Sequence, residues 1–206
     1  MRIVESNAKL RALMNKLLAK EGDKALKNAS RRIKRRVQAV VLTAISTCDE
    51  IQELSSGQGV LRLDFGLDDD PTDSIIGAIV ESVFVEVRRI RAVAGGFRGG
   101  LTLGIQPAGY ANILLLPEAS QSIESGGSLP WLSWLLTRGD AIIIEDYGVE
   151  YGSGFGRTGG AKMSEKQAPF RVNPRYAGDL ESNFITRALA PYGLQISKII
   201  KEEISR

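Results

Sequence analysis

The sequence predicts an α+β chain, and three observations predict it. Apolar residues recur every three to four positions over most of the first 54 residues, the period of a helix with one buried face. The middle of the chain holds short segments in which apolar and charged residues alternate, the period of a half-buried strand. The end returns to the helical period, with Ile196, Ile199, Ile200 and Ile204 on one face.

The elements follow in order. Leu10, Leu13, Met14, Leu17 and Leu18 make an amphipathic helix over 7–20, with Gly22 as its stop. Asp23 is a suitable N-cap for a longer helix over 24–54, on the order of 45 Å at ~1.5 Å per residue. Cys48 falls in the apolar stripe of that helix, where it behaves as a small core residue. A Ser/Gly loop is expected at 55–59. Leu61, Leu63, Phe65 and Leu67 alternate with Arg62 and Asp64 and predict a strand over 60–67. The acidic turn 68–73 signals a helix start, because carboxylates favour the positive end of a helix; a short helix over 74–82 is expected after it. Residues 83–93 predict a strand, 95–100 a glycine-rich turn, and 101–105 a strand that Pro107 ends. Residues 110–116 suit a strand or a short helix, and 118–129 read as loop. Pro130 opens a helix over 130–137 that holds Trp131 and Trp134. A strand is expected over 140–151, a glycine-rich loop over 152–160, further loop over 161–183, and helices over 183–190 and 195–205. One domain over 1–206 is expected, with a basic helical segment at 1–55.

Composition excludes several chemistries. The 206 residues include no histidine and one cysteine. A Ser–His–Asp or Cys–His triad needs an imidazole, and a zinc site needs more nitrogen and sulfur than Cys48 supplies. A disulfide within the chain needs a second cysteine. No catalytic set, cofactor or metal is therefore expected, and a carboxylate-and-metal enzyme is the weakest of the readings left. The apolar runs are far shorter than the ~20 residues of a membrane span. The start lacks the apolar core of a signal peptide, so synthesis in a reducing cytoplasm is expected.

The net charge of +3 is unevenly divided. The first forty residues hold twelve basic side chains against three acidic ones, net +9, and residues 41–206 carry net −6. Lys27, Arg31, Arg32, Lys34, Arg35 and Arg36 crowd one helix. They make either a solvated face or a contact for nucleic acid or an acidic neighbouring subunit. No aromatic residue is interleaved with them, so base stacking is not expected there.

Gly154, Gly156 and Gly159 match the spacing G-x-G-x-x-G. A dinucleotide site needs a strand before that motif, a helix after it and an acid about 20 residues on. A strand precedes it and Asp179 suits, but residues 160–169 are too short and broken for the helix. A mobile or closely packed glycine loop is expected instead. The acids at 68–73 lack the spacing of a calcium loop. Glu145 and Asp146 point to opposite faces of their strand. Trp131 and Trp134 share a helix face, as core residues or as anchors of a subunit interface.

The second half carries a resemblance. LPWLSWLLTRGD (129–140) is followed by GRTGGAKM (156–163), FRVNP (170–174) and AGDLESNFITRAL (177–189). This order resembles the neck, or tail-completion, proteins of tailed bacteriophages, in which a W-L-x-W-L-L-x-x-G-[DN] segment precedes a glycine–arginine loop and an A-G-x-x-x-x-N-[FW]-I-T-R-A segment. At the front, a long basic helix, a Ser/Gly loop and G-x-x-x-L-R (57–62) resemble the start of the same fold. The resemblance implies long N-terminal and C-terminal helices packed on a mainly antiparallel sheet. It implies a virion protein that joins head to tail as a homo-oligomeric ring, six copies being expected, with genomic DNA passing through. Its partners would be the head connector or adaptor on one side and the tail terminator or tail tube on the other. A tail terminator or head–tail adaptor is the alternative place in the same junction. The residues singled out as interface or motif positions are Trp131, Trp134, Gly154, Gly156, Arg157, Gly159, Arg171, Gly178, Asn183, Phe184 and Arg187. Lys27, Arg31, Arg32, Arg35 and Arg36 are the candidates for contact with DNA or an acidic partner.

Overall fold

A computed structural model of the chain describes residues 6–94, 96–106, 108–123, 127–165 and 168–206. Its helices are α1 (Asn7–Ser46), α2 (Asp49–Ser55), α3 (Val60–Phe65), α4 (Thr72–Glu81), α5 (Ala111–Leu114), α6 (Leu132–Leu136), α7 (Phe184–Leu189) and α8 (Gly193–Ile204). Its strands are β1 (Phe84–Val93), β2 (Gly96–Gly104), β3 (Gln121–Ser122), β4 (Ser128–Leu129), β5 (Tyr147–Tyr151) and β6 (Ala161–Glu165). The class is α+β, with a long N-terminal helix, a C-terminal helix and antiparallel strand pairs. The pairs form three separate two-stranded ladders, β1–β2, β3–β4 and β5–β6. Each ladder joins strands that are neighbours in sequence, the pairing that short connections favour. No described helix is long and apolar enough to cross a membrane.

The sequence predicts one domain, and the contacts gather in two compact units, both discontinuous in sequence. The first holds Met1–Gln38, Val83–Ile105 and Leu194–Arg206; the second holds Ala39–Ser82 and Gln106–Gly193. Helix α1 belongs to the first through Gln38 and to the second from Ala39.

In the first unit, α1 departs from expectation at Gly22, which stops nothing: the helix is continuous over 40 residues, about 60 Å. A Cβ at Gly22 would lie 3.1 Å from Ile90 Cδ1, so this glycine makes room for β1. Asp23 is likewise inside the helix and not its cap. Its carboxylate pairs with Lys27 at 2.8 Å and accepts the Ile90 N–H at 3.2 Å. Leu26, Ala29, Ile33 and Val37 form the buried stripe of α1 in this unit. Strands β1 and β2 pair as a long ribbon. Gly96–Gly100, expected as a turn, lie within β2, while Gly95 and Pro107 are outside the described residues.

The second unit corrects five expectations. Helix α1 ends at Ser46 and the backbone at Cys48 is extended (φ −74, ψ 151), so Cys48 precedes α2 and does not sit in a helix stripe. It is half-buried, and burial pushes its thiol up to about 11. Residues 60–65 are helix α3 and not a strand. Leu61, Leu63, Phe65 and Leu67 are all buried, because a helix of six residues closed in on several sides buries alternate positions as a strand would. Gly66 ends it in the left-handed region (φ 63), and Arg62 spans the turn by donating to the carbonyls of Leu67 at 3.2 Å and Asp68 at 2.6 Å. The expected strand over 140–151 is regular only from Tyr147, with a lone bridge between Ile144 and Phe170 before it. Residues 161–165, expected as loop, are strand β6. The loop expected at 118–129 also holds the short β3–β4 ladder, whose 124–126 connection lies outside the described residues.

Candidate functional site

Five of the motif residues, Trp131, Trp134, Gly178, Asn183 and Phe184, are buried in the second unit. Trp131 is 0% exposed and stacks at 5.3 Å, tilted, on Phe65, which also meets the edge of Phe170. Its indole N–H donates to the Glu118 carbonyl at 2.9 Å, and the Trp134 N–H donates to the Ala141 carbonyl at 3.1 Å. Both tryptophans are therefore core residues with satisfied N–H groups; neither is an exposed interface anchor. Gly178 passes so close to α6 that a Cβ on it would lie 2.1 Å from the Leu135 carbonyl oxygen. Its own N–H donates to the Trp134 carbonyl at 3.0 Å.

Asn183 is 0% exposed and uses both ends of its amide. Its Oδ1 accepts the N–H groups of Ile185 and Thr186, each at 3.2 Å, while the Thr186 hydroxyl accepts the Asn183 N–H at 2.9 Å. This reciprocal pair is a capping box at the start of α7. Its Nδ2 donates to the Tyr110 hydroxyl and to the Asp179 carbonyl, both at 2.8 Å. Phe184 packs beside it, buried. Arg187, on the next turn, pairs at 2.7 Å with Glu50, a buried acid of α2, and donates to the Ala177 carbonyl at 3.2 Å. Arg171 is exposed and has no side-chain partner among the described residues.

The glycine-rich segment is the turn of the β5–β6 ladder. Gly154, Gly156 and Gly159 all have positive φ (78, 59 and 72). A Cβ at Gly156 would lie 2.1 Å from the Ala161 carbonyl oxygen, so the tight path requires glycine twice over. The loop closes on itself through Gly152 N–H to Gly160 O at 2.9 Å and Gly154 N–H to Gly159 O at 2.7 Å. Arg157 then ties it to the acidic turn, pairing with Asp68 at 3.0 Å and donating to the Gly66 carbonyl. Tyr151 donates to the Asp64 carboxylate nearby. Strand β6 follows the motif where a nucleotide site needs a helix. Asp70 is also engaged, accepting from the Thr72 N–H at 2.9 Å and hydroxyl at 2.6 Å. Among the described residues, no group of three or more acid or thiol side chains is placed to hold a metal ion.

In the first unit part of the basic face of α1, Arg32 and Arg36, is paired with α8. Arg32 pairs with Glu203 at 2.6 Å, and Arg36 pairs with Glu203 at 2.9 Å and Glu202 at 2.8 Å. Glu203 is 1% exposed. The Arg32 guanidinium, with Arg36 and Arg206 behind it, holds its carboxyl below the usual carboxylate range. Lys27 is paired with Asp23. Of the five candidates for DNA contact, only Arg31 and Arg35 are exposed and without an ion pair among the described residues. Glu203 was not legible as a core position: the isoleucine stripe points to Ile204, yet Ile204 is exposed and the buried line runs Ile199, Glu203. The signal that finds it is the i, i+4 spacing from Ile199 together with arginines at 32 and 36.

The first turns of α1 carry a bare apolar stripe. Leu10, Leu13, Met14, Leu17 and Leu18 are all exposed, Met14 by 60% and Leu17 by 63%. Lys9, Arg11, Lys16 and Lys20 flank them. Comparison with family models, with curated proteins and with solved structures finds no match for this chain.

Proposed function

We propose that this chain is a structural subunit of a tailed-phage neck, one copy of a ring that joins the head connector to the tail and lets genomic DNA pass. The observation that carries the reading is the bare stripe of α1. A helix that leaves Leu10, Leu13, Met14, Leu17 and Leu18 in water marks a contact surface. A second copy offers a surface of the right sign: the stripe is flanked by basic residues, and residues 41–206 carry net −6. Stripe on one copy against acidic surface on the next is a heterologous contact, the kind that closes into rings.

The resemblance supports the same reading. The segments at 129–140 and 177–189 meet as a scaffold, with Trp131, Gly178 and Asn183 at its centre. Such a scaffold suits a subunit whose work is to hold a shape.

The test is a phage with this gene disrupted. Filled heads and complete tails should accumulate unjoined. The wild-type chain supplied in trans should join them, and the Leu13→Lys/Leu17→Lys variant should not. Normal joining without the chain overturns the proposal.

A further inference from the structure

The ribbon β1–β2 carries a cationic surface that the function above does not use. Its ladder slips between the pairs Arg88↔Gly100 and Arg91↔Arg98. Two residues, Arg89 and Ile90, there face the single Gly99, whose φ is +124. A bulge of this kind re-aims side chains. Without it, Arg88 would point away from Arg89 and Arg91. With it, Arg88, Arg89, Arg91 and Arg98 all line one open concavity of about 610 Å³. Gly99 and Gly100 are also in its lining and add no side chain there, which admits close approach to the backbone.

The charges in this concavity are not balanced from within. Arg91 and Arg98 are directly opposed across the ladder, an arrangement that costs stability for like charges. Neither has an ion-pair partner among the described residues, and Arg88 reaches only Glu86, at 3.9 Å with both side chains mostly exposed. A second concavity of about 380 Å³ adjoins the first through Arg89 and Arg91 and adds Lys16 and Lys20 of α1. Asp23, its one acid, is already held by Lys27 and the Ile90 N–H. The cations thus form a track, which suits a polyanion better than a single small anion.

We infer that the β1–β2 ribbon binds the phosphate backbone of duplex DNA, through Arg88, Arg89, Arg91 and Arg98. All four cations of the ribbon are arginine, whose planar fork matches phosphate oxygens in pairs. Ten residues of β1 give a ribbon about 33 Å long at ~3.3 Å per residue, and a two-stranded ribbon fits a duplex groove about 12 Å wide. The inference deepens the neck reading by naming the surface that meets the DNA. It does not need the ring, because a single copy has the whole track.

The test is fluorescence anisotropy of a labelled 25-base-pair duplex titrated with the full chain across a salt series. Binding should weaken with salt at a log–log slope of about −3.6, the value for four neutralised phosphates. Arg91→Gln/Arg98→Gln should weaken binding at least tenfold, reduce the slope by about 2, and leave the melting temperature unchanged or higher, since a like-charge pair is relieved. Arg31→Gln/Arg35→Gln on α1 should bind as wild type. Poly-glutamate and inorganic phosphate at equal charge should compete poorly. The inference is overturned by no binding at low salt, by wild-type binding in the ribbon variant, by loss of binding in the α1 variant, or by equal competition from poly-glutamate or phosphate. If the chain binds DNA yet heads and tails join without it, the neck reading alone is lost.

Discussion

Replacing Asn183 by alanine removes four hydrogen bonds at one buried point. Two of them cap α7, and a lost cap costs about 1 kcal/mol. The other two hold the Tyr110 hydroxyl and the Asp179 carbonyl, and Tyr110 is itself buried. Leaving such groups short of a partner adds about 1–2 kcal/mol. The total is roughly 2–3 kcal/mol, or about 5–10 °C in melting temperature for a chain of this size. Intrinsic fluorescence reads the right part of the molecule, because both tryptophans, Trp131 and Trp134, lie in the second unit with Asn183. Asn183→Ser keeps an oxygen at the cap and loses the contact to Tyr110, so its loss should be about half. An alanine variant that melts within about 2 °C of wild type would mean that these four bonds do not hold the unit together.

Other expectations follow from single contacts. Arg187→Met leaves the buried Glu50 carboxylate without its cation and should cost about 2–3 kcal/mol in urea unfolding; Glu50→Gln in the same background should recover part of it. The Glu203 carboxyl is lowered in the folded chain, so its contribution is present above the ordinary carboxylate range and is lost as pH falls through the folded value. The difference in melting temperature between wild type and Glu203→Gln should therefore shrink as pH is taken from 6 to 3, and a constant difference counts against it. Burial pushes the Cys48 thiol up to about 11, so iodoacetamide at pH 8 should label it at least tenfold more slowly in the folded chain than in urea. Equal rates would place that thiol in water.

The helical period of α1 was legible because its buried stripe is long and one-sided. Gly22 was misleading because glycine usually marks an end, with a cost of about 1 kcal/mol inside a helix; here it answers to Ile90, which is 68 positions away in the chain and invisible to local pattern. The α3 segment misled for a different reason. Period distinguishes helix from strand only when one face is wet, and Leu61, Leu63, Phe65 and Leu67 have no wet face among them. The flanking Gly59 and Gly66 were the better signal, since Gly66 supplies the left-handed cap. Asn183 was legible as a helix start from its residue type. Its bond to Tyr110 was not, nor was the pairing of Arg187 with Glu50, since each joins residues far apart in sequence. The basic face of α1 was legible as charge; the pairing of Arg32 and Arg36 was not, because the acids that hold them lie at the far end of the chain.

In the proposed ring, one copy of this chain is completed by another through the first turns of α1. Light scattering on the purified full chain across a concentration series tests it most directly. Wild type should reach a discrete multiple of its 22.4 kDa mass. Leu13→Lys/Leu17→Lys should stay at 22.4 kDa with an unchanged melting temperature, because both side chains are already in water. A wild-type chain that stays at the mass of one copy at every concentration, or a variant that assembles equally well, rules that contact out.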